Sequence, residues 1–299
     1  MAEGFDEHEH EHATQLADFL ARHPNTLVLT GAGMSTASGI PGYRDREGVR
    51  RGNLPTQGPE FRRSQAAQRR YWARSMVGWP VLAGARPNAG HRALAALEQG
   101  GHLRALLTQN VDGLHTQAGS RAVIELHGNI HLTVCLDCGE RSSRASVQEQ
   151  LVAANPHFAN IVATPLPDGD AQLEPEALAD FRLPACPHCG GTLMPDVVFF
   201  GDNVPAARTA AAVAMMDAAD ALLVVGSSLV VFSGFRFCRL AHAAGKPIAA
   251  VNLGYTRADP LLTLKIEKQA EHLLPGVAHL LNQTGGDTPL QHFAQGETQ

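Results

Sequence analysis

Four of the chain's five cysteines fall into two matched pairs, Cys135-Leu136-Asp137-Cys138 and Cys186-Pro187-His188-Cys189. A C-x-x-C turn brings two thiolates onto one metal ion. Two such turns complete a closed tetrahedral zinc site with no open coordination position. Cys135, Cys138, Cys186 and Cys189 are therefore expected to hold one structural Zn2+, and any chemistry must lie elsewhere. Cys238 sits in an apolar, helix-like stretch and reads as a small core residue.

Three polar clusters are candidates for that chemistry. Gly31-Ala32-Gly33-Met34-Ser35-Thr36 follows an apolar run and matches two glycines of the dinucleotide fingerprint G-x-G-x-x-G, with Thr36 where the third belongs. Gly31 and Gly33 would let backbone N–H groups approach a pyrophosphate at a helix start. No acidic residue stands about 20 positions on to select ribose, which leaves Asn252 for that part. The second cluster, residues 108–115 (TQNVDGLH), has two readings. Its amides and carboxylate can read ribose hydroxyls and a carboxamide, or Asn110 or Asp112 can cap a helix. The third is His127-Gly128, where a neutral imidazole at a strand end is a candidate general base near pH 7. His115 and His131 are its local competitors.

Short apolar runs must position these groups. Thr26–Thr30, Ala105–Thr108, residues 122–126, Ala221–Val225 and Ile248–Val251 read as buried parallel strands, each ending in a small or polar cluster. Residues 92–99, 206–219 and 235–244 read as the helices between them. Alternating strand and helix predicts a Rossmann-like doubly wound parallel sheet, whose ligands bind beyond the carboxyl ends of the strands. Residues 14–45, 88–133 and 192–282 are assigned to it. Two insertions are expected to form a smaller domain over it. One is a helical module at residues 46–87, with a helix over 65–76. The other is a zinc-binding module at residues 134–191, with a helix over 146–154 and a loop at 165–175. Residues 1–13, acidic and rich in histidine, are expected to be a solvated tail, and residues 283–299 a flexible one.

With 299 residues, 44% hydrophobic content and a net charge of −5, the chain carries no basic field for nucleic acid. It has no apolar run of membrane-spanning length, and residues 1–12 lack the basic start and apolar core expected of a signal peptide. A zinc site suits a reducing compartment, so a cytoplasmic location and no membrane partner are expected.

Taken in order, the motifs resemble those of the sirtuins, the NAD-dependent protein deacylases. They are GAGMSTASGIPGYR (31–44), TQNVDGLH (108–115), LHG (126–128), the two C-x-x-C pairs, PDVVFFGD (195–202), GSSL (226–229) and VNLG (251–254). Residues 71–80 (YWARSMVGWP) and the PDGD at 167–170 look like the class II branch, which includes the sirtuin-4 type.

The resemblance implies NAD+ as co-substrate. Gly31, Ala32, Gly33, Thr36, Tyr43 and Arg44 would line the cofactor loop, and Gln109 would meet the nicotinamide ribose. Val111 and Asp112 would take the carboxamide. Gly226, Ser227, Ser228, Asn252, Leu253 and the backbone at Ala270 would hold the phosphates and adenosine. The acyl-lysine oxygen would attack C1′ as nicotinamide leaves, His127 would take a proton from the ribose hydroxyls, and Asn110 would position ribose and water. Free lysine and O-acyl-ADP-ribose result. Val198, Phe199, Gly201 and Val230 would clamp the acylated peptide as an added strand. Tyr71 and Arg74 share the Y-x-x-R spacing that grips acidic acyl chains in class III relatives; a packed arginine is the alternative. Gly42, where relatives carry an acidic residue, and Ala270, where they often carry cysteine, depart from the pattern. The expected partners are acylated lysine side chains of proteins, the expected state is a monomer, and no specific nucleic acid is expected. Mono-ADP-ribosyl transfer from the same NAD site, a zinc-ribbon nucleic-acid binder and a non-catalytic NAD sensor are the rival readings.

Overall fold

The computed structural model describes residues 7–42, 55–158, 161, 178 and 180–284. Its elements run α1 (Glu7–Arg22), β1 (Thr26–Thr30), α2 (Gly58–Arg63), α3 (Gln65–Gly84), α4 (Ala89–Gln99), β2 (Ala105–Thr108), α5 (Leu114–Gln117) and β3 (Val123–Glu125). Next come β4 (Gly128–Cys135), β5 (Arg141–Ser143), α6 (Arg144–Ala154) and β6 (Leu193–Val197). The chain finishes with α7 (Ala206–Asp217), β7 (Ala221–Val225), α8 (Phe232–Ala243), β8 (Ile248–Val251), β9 (Leu264–Ile266) and α9 (Ala270–Thr284).

The five apolar runs become strands, and β9 joins them in a six-stranded sheet of order β3-β2-β1-β7-β8-β9. Every pairing in it is parallel. Parallel sheets need cover on both faces, and alternate residues show it. Val28, Leu106, Leu223 and Val251 face one core with Leu16, Leu20, Leu94 and Leu274 from α1, α4 and α9. Leu27, Leu29, Leu107, Leu222 and Ile248 face the other with Met216 and Phe237 from α7 and α8. The strand order reverses between β1 and β7, which opens a crevice at their carboxyl ends. No helix among the described residues is long and apolar enough to cross a membrane.

Helix α1 starts inside the segment expected to be a solvated tail. The apolar stripe Ala13, Leu16, Ala17, Phe19 and Leu20 is buried and holds α1, whose first turns reach back to Glu7. At the other end α9 runs to Thr284, two residues past the expected boundary.

A second, antiparallel sheet of order β5-β4-β6 carries the cysteine turns. It shares one core with the arginine-rich insertion: Phe61, Trp72 and Met76 pack with Val147, Leu151, Leu193 and Phe199. Helix α3 runs past the expected end at 76 although Pro80 lies inside it. Proline deprives the carbonyl four residues back of its donor. Here that carbonyl belongs to Met76, and Gln148 Nε2 of α6 donates to it at 2.8 Å. One helical turn earlier on α6, Arg144 donates to the Ser75 carbonyl and hydroxyl at 3.2 and 3.1 Å. Its guanidinium lies 5.3 Å from the Trp72 ring centre and 4.8 Å from that of Trp79. Burial lowers its pKa to about 10, so it remains cationic at neutral pH.

Under β1 two histidines are fully enclosed. His91 Nδ1 accepts from the Asn88 backbone N–H at 3.3 Å in a capping box. His115 Nε2 lies 2.9 Å from Thr30 Oγ1, and the two rings are 4.8 Å apart. Burial lowers their pKa values to about 4 and about 3. Both are neutral in the fold, whereas an exposed histidine titrates near 6.5. Protonation below about 6.5 therefore favours the unfolded chain, and this stability is lost as pH falls toward 4. Each residue should cost about 2 kcal/mol at pH 5 relative to pH 8. Urea unfolding at the two pH values checks this, and His115→Gln should remove about half of the dependence. A pH-independent midpoint would contradict neutral burial.

Candidate active site

The loops leaving β1 and β7 touch backbone to backbone. Gly31 N–H donates to the Val225 carbonyl at 3.1 Å, and Gly33 N–H to the Gly226 carbonyl at 2.8 Å. A Cβ on Gly226 would lie 2.4 Å from Met34 N, and its φ of +60° is itself a glycine conformation. The fingerprint glycines thus serve close approach of two loops. Their N–H groups bond to neighbouring carbonyls, so these two glycines bring the loops together as well as bordering the cavity. The helix that follows is a tight 3-10 turn over Ala32–Ser38.

Around this contact opens a cavity of about 1240 Å³. Gly31, Ala32, Gly33 and Thr36 line it from the β1 side, and Gln109, Asn110 and Val111 from the end of β2. Gly226, Ser227, Ser228, Asn252, Leu253 and Ala270 line it from the ends of β7 and β8 and the start of α9. Tyr43 and Arg44 lie outside the described residues. The polar groups crosslink one another. Gln109 Nε2 donates to Ser227 Oγ at 2.8 Å, and Asn110 Nδ2 donates to the Gly31 carbonyl and to Ser35 Oγ, each at 3.0 Å.

Asp112 is buried, and its carboxylate bonds within the protein. Oδ1 accepts from Leu114 N–H at 3.0 Å where α5 starts, and Oδ2 accepts from Ser35 Oγ at 2.7 Å. Burial raises its pKa, against the opposing pull of the Leu114 and Ser35 bonds. Asp112 is not among the described residues on the cavity wall; it stands behind Asn110 and ties the β1 and β2 loops together.

Of the three candidate histidines only His127 lines the cavity. His115 is buried under β1, and His131 Nε2 lies 2.9 Å from the Asp112 carbonyl. His127 Nδ1 lies 2.9 Å from the Gln109 carbonyl, and Nε2 lies 2.8 Å from Ser233 Oγ. Burial lowers the imidazole's pKa, the Gln109 carbonyl opposes the shift and the Arg208 charge reinforces it. The ring is therefore neutral at pH 7 and able to accept a proton. Gly128, next in the chain, has φ +90°, and a Cβ there would lie 2.1 Å from the Asp196 carbonyl. Val198 N–H donates to the His127 carbonyl at 2.7 Å. These two contacts fix the backbone on either side of the imidazole.

Residues 197–204 and 227–233 form facing walls of the same cavity, and Val198, Gly201 and Val230 lie on them. Phe199 also borders the cavity, but its ring is buried against Phe61 and Tyr71 at 5.3 and 5.1 Å. Leu229, buried with φ +57°, is the non-glycine residue with positive φ among the described residues; it stores backbone strain at this wall. Tyr71 reaches the cavity; Arg74, one turn along α3, is not among the described residues that line it. Ser233 escaped the sequence reading. It stands second in α8, inside the apolar run 229–235, which hid the start of that helix.

The four cysteine Sγ atoms lie within 4.8 Å of one another, with Cys135–Cys189 at 3.5 Å and Cys138–Cys186 at 3.8 Å. Zn–S bonds of about 2.3 Å place tetrahedral sulfurs about 3.8 Å apart, so the cluster fits one structural Zn2+. Backbone N–H groups of Cys138 and Asp137 help lower the Cys135 pKa, whereas the pKa values of Cys138 and Cys189 are raised, the neighbouring sulfurs contributing, so the four thiols do not ionise alike. Cys238 is fully buried, and burial raises its pKa to about 12.

Comparison with known proteins agrees on one family. Residues 31–233 match the model of the Sir2 family. A relative from Pseudomonas syringae pv. tomato, "NAD-dependent protein deacetylase 3", is 54% identical over 85% of this chain and 91% of its own length. "NAD-dependent protein deacetylase 2" of Bradyrhizobium diazoefficiens is 52% identical over 87% and 95%. Among solved structures, one from "Structural Basis for the Mechanism and Regulation of Sir2 Enzymes" superposes with TM-score 0.73 at 32% identity, covering 92% of this chain and 99% of that one. The complex "Sir2-p53 peptide-NAD+" gives TM-score 0.69 at 29% identity, with 92% and 98% covered.

Cys138→Ser should strip the cluster of its metal and lower unfolding stability by about 3 kcal/mol or more. Metal analysis of the purified protein and denaturant unfolding check both outcomes. A full complement of zinc in that variant would contradict the four-thiolate site.

Proposed function

The chain belongs to the Sir2 family of NAD-dependent enzymes, and on that premise we propose that it is a protein lysine deacylase that passes the acyl group of acyl-lysine to ADP-ribose and releases nicotinamide. The observation that carries this reading is His127: a neutral imidazole at a sheet-edge cavity, anchored through Nδ1, with Nε2 on the cavity side. The cavity suits a dinucleotide together with a side chain, since its volume exceeds the few hundred to about 1,000 Å³ of ordinary ligand pockets.

Bound NAD+ supplies an electrophilic C1′ on its nicotinamide ribose and a nicotinamide leaving group. The chain's residues do the rest. Asn110 and Gln109, crosslinked to the β1 and β7 loops, present amides to the ribose. Val111, with Asp112 behind it, closes the nicotinamide side against water. Ser227, Ser228, Asn252, Leu253 and the Ala270 backbone receive the phosphates and adenosine, with the Gly31–Gly33 loop shaping the floor. His127 Nε2 takes the proton of a ribose hydroxyl, so that the oxygen can attack the acyl carbon. Val198, Gly201 and Val230 support the peptide through main-chain pairing, and Phe199 stiffens that wall from the core side. The structural zinc takes no part in the chemistry. The division into a sheet domain and two inserted modules belongs to the same reading. So does the class II placement, which rests on residues 71–80 and on the PDGD at 167–170, the latter outside the described residues.

The test is the purified protein with NAD+ and acetyl-lysine peptide, read by mass spectrometry. Nicotinamide and O-acyl-ADP-ribose should appear in equal amounts, and His127→Ala should cut O-acyl-ADP-ribose by about 100-fold or more. Untouched NAD+, or ADP-ribose attached to protein instead, would overturn the proposal.

Tyr71 on the cavity wall makes α3 the helix best placed to sense the far end of the acyl chain. With Arg74 as its carboxylate reader, Arg74→Ala should lower activity on glutaryl- and 3-hydroxy-3-methylglutaryl-lysine peptides about 10-fold and spare acetyl peptides. Equal loss on both classes rules this part out.

A further inference from the structure

Both ring nitrogens of His127 are engaged, and the partners differ in kind. The Gln109 carbonyl, 2.9 Å from Nδ1, can only accept, so Nδ1 carries the ring proton. Nε2 is then the lone pair, and the Ser233 hydroxyl at 2.8 Å donates to it. The one basic atom of the imidazole is therefore capped by a serine that itself lines the cavity.

We propose that Ser233 is the proton relay of the base: the substrate hydroxyl hands its proton to Ser233 Oγ while Oγ hands its own to His127 Nε2. The proposal rests on the reading of His127 given above. In the step the substrate O–H bond breaks and a new Oγ–H bond forms. The old Oγ–H bond breaks and an Nε2–H bond forms, leaving an imidazolium, a substrate alkoxide and an unchanged serine. Oγ keeps acceptor lone pairs while it donates to Nε2, so it can receive the incoming proton.

The fold holds this serine in place. Ser233 lies in the first turn of α8, and Gly234 beside it is pressed so closely to Gln109 that a Cβ would lie 2.4 Å from Oε1. Gln109 therefore borders both ends of the relay: its carbonyl meets the imidazole and its side chain lies against Gly234 of α8. Arg208 on α7 is the charge that acts on the ring; Arg236 on α8 lines the same cavity, and Glu125 on β3, His131 on β4 and Asp112 after β2 interact with one another. None of them bonds Nε2. Arg208 reaches the Leu126 carbonyl at 3.4 Å, and Glu125 accepts from Asn129 at 2.9 Å. Ser233 is the donor that reaches the lone pair among the described residues.

Ser233→Ala and Ser233→Thr are compared with the native protein in two assays. In the first, the NAD-dependent reaction on acetyl peptide is followed by O-acyl-ADP-ribose formation, its pH profile and its dependence on the D2O fraction. The alanine variant should form product about 10- to 100-fold more slowly, with the acid limb of the profile moved to higher pH and one fewer proton in flight. The threonine variant, which keeps a hydroxyl, should stay within about threefold of native. In the second, NMR titration of His127 in the free protein needs no substrate. Loss of a donor to the neutral ring should raise its pKa by about half a unit to one unit in the alanine variant alone. An unchanged His127 titration, or an alanine variant as fast as native, overturns the relay. A native protein that leaves NAD+ intact overturns the deacylase reading instead, and the titration still decides whether Ser233 caps the ring.

Discussion

Two loops meet here with nothing but backbone between them. Gly31 and Gly33, leaving β1, donate to Val225 and Gly226, leaving β7, and no side chain could occupy the space between. That contact closes the floor of the crevice at the point where strand order reverses. It also sets the distance between the β2 end, with Gln109 and Asn110, and the β7 end, with Ser227. The Gln109–Ser227 and Asn110–Gly31 bonds then brace the polar rim across the gap. An enlarged residue at Gly226 would push the two strand ends apart and with them every group that faces the cavity.

The imidazole is placed by a similar exclusion. Gly128 passes so near the Asp196 carbonyl that β4 and β6 are drawn together beside His127. The antiparallel sheet bearing the cysteine turns thereby begins at the candidate base. The metal cluster at its far end stiffens the sheet without touching the chemistry. The helical insertion shares the same core through Trp72, Met76 and Phe61. Residues of the two segments therefore share one core.

Much of this was legible in the sequence. Runs such as TLVLT and ALLVV are buried on both faces and contain little besides apolar and β-branched residues, so they announce parallel strands without an alternating pattern. Two C-x-x-C turns announce a metal in the same direct way. The antiparallel strands were harder to see: β4 mixes buried and exposed residues irregularly around a register shift, and β5 is three residues long. Helix α3 read as ending at 76, yet it runs on through Pro80, where a glutamine from α6 bonds the freed Met76 carbonyl. Asp112 was visible as a candidate, but its bonds to Ser35 and Leu114, which tie the β1 and β2 loops together, come from tertiary packing. The spacing of the fingerprint glycines shows that a backbone is bare, and only the fold shows that the β7 loop approaches it. Ser233 carried no signal at all, because a lone hydroxyl in an apolar run acquires meaning only when the fold sets it against His127.

The chain has two tryptophans, Trp72 and Trp79, and both lie on α3 against the guanidinium of Arg144. Intrinsic tryptophan emission from this protein therefore comes entirely from the seam where the helical insertion meets the cysteine-bearing one. The parallel sheet is spectroscopically dark by comparison. A change in emission on adding nucleotide or peptide would register movement at that seam, and a constant signal would mean the seam stays shut while the crevice below it fills.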